Sequence, residues 1–174
     1  MRPKDFYNIP STHLPLLVFS DNLYSFFSWR IRCKTEGYTH AMWLYAPGRV
    51  ATQGWTFKSD DIATFLGTSR MELWYNPAWR KQDRERIVEE LTRKINQPLF
   101  YRMYDVLGII GHIVKSRKFH SPFQEYCSEN AGRVLSVVEP DMKIQSPTPE
   151  ELRQWCKDSR QMTVYGRYHP YESK

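Results

Sequence analysis

Thr39-His40-Ala41-Met42-Trp43-Leu44-Tyr45, followed by Pro47-Gly48 and then Val50-Ala51-Thr52-Gln53, is the stretch on which the fold turns. Along it His40, Met42 and Leu44 alternate with Ala41, Trp43 and Tyr45, the period of a strand, and the residue types are those that suit a pleated sheet. Gly37 lies before the run, and Pro47-Gly48 predicts a hairpin that pairs it with a second strand over 50–56. A histidine on such a strand is held stiffly and projects from one face of the sheet.

Reading outward, Leu14, Leu16, Leu17, Val18 and Phe19 form a short apolar run, read as a buried strand, and Ser20-Asp21-Asn22 offers a cap for a helix that continues to about Lys34. Cys33 falls on that helix as a packing residue. Downstream, Ser59 is expected to cap a short helix ending at Gly67, and 71–75 reads as a strand. The 80–96 segment is an amphipathic helix, with Ile87, Val88, Leu91 and Ile95 on one face. Residues 103–114 are apolar almost all round and read as a buried helix, and 127–138 as another that Pro140 stops. Thr148-Pro149-Glu150-Glu151 is a capping box that starts a helix to about Lys157, and 163–168 reads as a last strand. The order opens β-α-β-β-α-β.

The 174 residues suit one domain, and no repeat or long linker divides them. A hydrophobic fraction of 41% beside 25% charged residues describes a packed globule with a wetted surface. The net charge of +6 is spread along the chain, and Asp83 and Glu85 interrupt the run from Arg80 to Arg86, so no phosphate-binding stripe is present and no specific nucleic acid is expected. Three cysteines without a CxxC pair argue against a disulfide framework. The first apolar run is too short for a signal peptide or a membrane span, so the expectation is no membrane insertion and a cytoplasmic setting by default, with delivery to an envelope or virion left open. Oligomeric state is not legible.

Cysteine catalysis needs a thiolate, a base, a group that orients the base and donors for an oxyanion. Cys127 meets these needs best, because a helix start lowers a thiol pKa and offers free N–H groups. Two starts compete. Ser121-Pro122-Phe123-Gln124 is a capping box that would leave Cys127 in the second turn, whereas a break before Tyr126 would leave it in the first. His40 is the base that a strand presents to such a helix, and Gln53, across the hairpin, is placed to fix the ring through its amide oxygen.

The surrounding residues carry a resemblance. The run 14–45 with its Tyr38-Thr39-His40-Ala41-Met42, then Val50-Ala51-Thr52-Gln53, Tyr104-Asp105-Val106-Leu107-Gly108 and Tyr126-Cys127-Ser128-Glu129, resembles the circularly permuted NlpC/P60 proteins, the YiiX/YebB-like hydrolases. It covers roughly 14–155, within a single domain of 1–174, and has histidine before cysteine as the permutation requires. Thr39 stands where serine is usual, and Gln53 where an acidic residue is common.

The resemblance implies an α+β class with a small antiparallel sheet packed against helices, a papain-like core, a Cys-His-polar triad of Cys127, His40 and Gln53, and hydrolysis or transfer at an amide, ester or thioester carbonyl. Tyr104 and Ser128 are its oxyanion or pocket candidates. The implied substrate is a peptide or acyl compound, first a cell-wall peptide, with lipid acyl transfer or thioester hydrolysis as the rival chemistry and a binding or structural module as the rival class.

Other candidates are weaker. His112 reads as a packed histidine, His13, His120 and His169 as loop or terminal residues, Glu129 as a partner of the helix start or of a nearby base, and the six tryptophans as core and groove wall. No HxxxH, HxH or CxxC spacing supports a metal site, and no cofactor is expected.

Overall fold

A computed structural model describes residues 1–22, 37–103, 127–142 and 147–171. Six strands, β1 (Leu16–Asn22), β2 (His40–Ala46), β3 (Arg49–Gln53), β4 (Phe57–Asp61), β5 (Ser69–Tyr75) and β6 (Thr163–Tyr168), form one antiparallel sheet in the order β4-β3-β2-β1-β5-β6. Between and after them run α1 (Ala63–Leu66), α2 (Lys81–Ile95), α3 (Leu99–Arg102), α4 (Cys127–Ser136) and α5 (Pro149–Asp158). The class is α+β. Among the described residues no helix is long and apolar enough to cross a membrane.

The continuous apolar text of β1 has a plain cause, since the sheet is covered on both faces and a strand without a solvent face needs no polar alternation. On one face Leu17, Phe19, Ala41, Trp43, Ala51 and Trp74 meet Ile87 and Leu91 of α2, Val134 and Leu135 of α4 and Leu152 of α5. On the other, Leu16, Val18, Met42, Leu44, Val50 and Leu73 are closed by Phe6, Ile9 and Leu14 from the N-terminal segment and by Ile62 and Leu66 at α1. The β2–β3 hairpin turns at Gly48, whose φ of 70° lies in the left-handed region that favours glycine. Thr148 caps α5 as its box predicts: its hydroxyl accepts from the Glu151 N–H at 3.1 Å and its own N–H donates to the Glu151 carboxylate at 2.7 Å.

Three local readings change. Ser59 is not a helix cap; it lies in β4 opposite Ala51, because Phe57 turns inward and pairing with β3 outweighs a local capping preference. The helix shrinks to α1, with Gly67 following it. Asp21 and Asn22 continue β1, Asp21 being fully buried and accepting from Arg70 and Thr39. Met103 forms an isolated bridge with Thr56 rather than opening a helix. The helix expected after Asn22 and the rest of 103–114 lie outside the described residues.

Candidate active site

His40 opens β2, opposite Ser20 of β1. Residues two apart on a strand share a face, so His40 belongs with Met42, and Met42 is in register with Thr52 of β3. The ring reaches that neighbour: His40 Nε2 and Thr52 Oγ1 are 2.7 Å apart. The flat side of the imidazole stacks on Phe65 just after β4, with centroids 6.3 Å apart and planes 12° apart. Ring rotation is therefore restrained by one hydrogen bond and one stacking contact.

Gln53 does not meet the imidazole. As the next residue along β3 it points to the other face, where its Oε1 accepts from Asn130 Nδ2 at 3.2 Å and its Nε2 donates to the Arg102 carbonyl at 2.9 Å. The orienting contact assigned to Gln53 from the sequence is thus made by Thr52, and the cause is the register shift between Leu44 and Ala46, which moves β3 by one residue against β2 and so exchanges its faces. Counting straight back from the Pro47-Gly48 turn, with Ala46 opposite Arg49, would put Gln53 opposite Met42 and on His40's side; the register shift puts Thr52 there instead.

The α4 helix lies across β2 and β3, and Trp43 Nε1 donates to the Ala131 carbonyl at 3.2 Å. Cys127, at the start of the described span of α4, is 5% exposed. Burial pushes its thiol up, but the charge of His40 and a hydrogen bond from its ring, with the backbone N–H groups of Ala41 and Ser128, more than offset this and hold the thiol below its ordinary value. An N–H of α4 that acts on the sulfur behaves as the unpaired donors of a first helical turn do. Residues 121–126, on which the two competing helix starts depend, lie outside the described residues.

The Ser128 hydroxyl is no pocket group. It is fully buried and donates to the Pro147 carbonyl at 2.6 Å, so only its backbone N–H serves the site. Glu129 accepts from Arg133 one turn on, at 3.0 Å, as a carboxylate serving a local base would. Tyr104, His112, His120 and Cys33 lie outside the described residues. His13 packs near Tyr75 and Tyr165, and His169 beside Tyr171. The sequence reading missed Thr52 as the ring's partner and Asn130 as the helix's tie to β3.

A second polar centre stands on the helix-covered face. Glu72, 1% exposed, accepts from Trp74 Nε1 at 2.8 Å, from Arg153 at 2.7 and 3.2 Å and from Arg167 at 2.9 Å. Burial raises its carboxyl, and these hydrogen bonds bring it below its ordinary value. Arg153 also lies over the Tyr38 ring, 4.9 Å from its centroid. This cluster anchors α5 to β5 and β6.

No protein-family model matches the chain, and no curated protein matches it. Among solved structures it is similar to the crystal structure of the metalloprotein YiiX from Escherichia coli O157:H7, with a TM-score of 0.59 over 90% of this chain and 97% of that one. At 13% identity the likeness is one of fold.

Proposed function

We propose that the chain is a cysteine hydrolase on a circularly permuted papain-like scaffold of the NlpC/P60 kind, with Cys127 as nucleophile, His40 as base and Thr52 as the group that orients the base. The arrangement that carries the reading is a buried sulfur with the His40 ring and the backbone N–H groups of Ala41 and Ser128 beside it, which also hold its thiol below the ordinary value. His40 takes the Sγ proton, and the thiolate attacks a carbonyl carbon to form a C–S bond. The N–H groups of Ala41 and Ser128, which act on the sulfur, are the donors at hand for the oxyanion. The imidazolium then protonates the departing amine, alcohol or thiol, and water cleaves the acyl thioester with His40 again as base. With Nε2 held by Thr52, Nδ1 is the nitrogen left for the sulfur. A threonine hydroxyl donates to a neutral ring or accepts from a charged one, so it orients the ring without a carboxylate's charge.

A peptide amide of the cell wall is the substrate class favoured by the family resemblance, and a lipid-linked ester or thioester is the rival. Burial of Cys127 favours the competing reading, a binding or structural module on the same scaffold. The related structure is described as a metalloprotein; here the described residues gather no three His, Cys, Asp or Glu side chains into one group. Cys127 and His40 are two donors where a structural or catalytic zinc uses three or four, so this pair alone is not a metal site.

Alkylation with iodoacetamide, followed by peptide mass spectrometry, tests the reading alongside hydrolysis of a p-nitrophenyl acyl ester and of a peptide amide. Cys127 is expected to react first at mildly acid pH, and Cys127→Ala to abolish turnover. Equal labelling of Cys156, or turnover that survives Cys127→Ala, would sink it.

A further inference from the structure

We propose that Gln53 and Asn130 form a positioning pair that keeps the nucleophile helix in register with the strand that orients the base. The proposal rests on the Cys127-His40 reading above. Thr52 and Gln53 are consecutive residues of β3 that point to opposite faces, and both reach toward the site. Thr52 holds the His40 ring at 2.7 Å, while Gln53 accepts from Asn130 of α4 at 3.2 Å. One short piece of strand therefore fixes the base on one side and the helix of the nucleophile on the other.

Asn130 follows Cys127 by three residues, which on a helix is nearly one full turn and a rise of about 4.5 Å. A shift of α4 at Asn130 is therefore carried to Cys127 almost undiminished. The far end of Gln53 is anchored as well, since its Nε2 donates to the Arg102 carbonyl at 2.9 Å. The helix is then tied to two neighbouring strands: to the base strand β2 through Trp43 and the Ala131 carbonyl, and to the orienting strand β3 through Asn130 and Gln53.

Stability alone does not account for the pair. Gln53 is 3% exposed and Asn130 5%, and Asn130 Oδ1 is buried with no hydrogen-bond partner among the described residues. An orphaned buried acceptor is unfavourable, whereas two apolar side chains of similar size in the same place would leave none. What the amides provide and apolar contacts do not is a directional bond that sets the axial position of α4.

The test reads the second-order rate of iodoacetamide modification at Cys127 against pH, peptide by peptide, in the full chain. In Asn130→Ala the midpoint of the profile is expected to move up by about one unit and the rate at pH 6 to fall about tenfold, with circular dichroism unchanged. Gln53→Met, close to glutamine in volume, is expected to do the same and carries the test should Asn130→Ala fail to fold. The double variant is expected to lose no more than either single one, as partners in one interaction do.

Folded single variants with the wild-type midpoint, or losses that add in the double variant, would overturn the pair's role while leaving the Cys127-His40 reading intact. A wild-type Cys127 that titrates as an ordinary thiol would overturn both.

Discussion

Cys127 and Cys156 lie on α4 and α5, two helices packed against the same face of the sheet, and neither is more than 5% exposed. Their sulfurs nevertheless diverge. Burial raises both thiols, but Cys127 has the His40 ring and two backbone N–H groups beside it and ends below its ordinary value. Cys156 faces the charges of Glu139 and Glu72, which push the same way as burial, and Arg153 offsets only part of this, so its thiol is driven far above the reactive range. Burial does not separate an inert cysteine from a reactive one. The sign of the charge that shares the burial does.

The largest way to break this contrast is to remove the ring. In His40→Ala, Cys127 keeps its burial and loses the cation and hydrogen bond that offset it. Its alkylation rate at pH 6 is expected to fall by about a thousandfold, toward that of Cys156, as measured by mass spectrometry of the two peptides.

On the Cys156 side the contrast is sharpened through Glu72. Glu72→Gln leaves Arg153 without its main partner and is expected to cost about 3 kcal/mol in urea unfolding. Because the folded carboxyl titrates below its ordinary value, its contribution is complete above the ordinary carboxylate range, about pH 4.5, and fades as pH falls through the lower folded value. The wild type should therefore lose urea resistance between pH 5 and pH 3, and Glu72→Gln should lose less over the same interval. An equal loss in both would remove Glu72 as its source.

The smallest effect is expected from Thr52→Val, which keeps shape and deletes the hydroxyl. With the ring still stacked on Phe65, Cys127 labelling at pH 6 and ester turnover should each fall about tenfold, the worth of one hydrogen bond to a charged group. No change would mean that stacking alone orients the ring.

What the sequence disclosed, and what it withheld, follows the range of the interactions. The His40–Ala46 strand, the Thr148 box and the Thr163–Tyr168 strand are written in neighbouring residues and stand where their text put them, whereas the hairpin's second strand, expected over 50–56, ends at Gln53. Ser59 looked like a cap because its local chemistry is that of one, and only pairing with β3 makes it a strand residue. Within the site, a regular hairpin places Gln53 on the histidine's face, and only the register shift between Leu44 and Ala46, which no residue pattern announces, puts Thr52 there. Asn130 and the Glu72 cluster join residues 77 positions apart (130 minus 53) and 81 apart (153 minus 72), and no short-range pattern announces them.

The strand order also has a temporal side. Four strands, β1 to β4, follow one another outward across the sheet, and β5 then returns to the far side of β1, so the base and its hydroxyl partner are assembled by pairings among early segments. The sulfur arrives from a position 87 residues after the ring (127 minus 40), a closure that long intervening chain makes slow. Its acidity is borrowed from a strand it has not yet met. Before that docking Cys127 has neither the His40 ring nor the Ala41 N–H beside it, so its lowered pKa is a property of the assembled fold and not of its own segment.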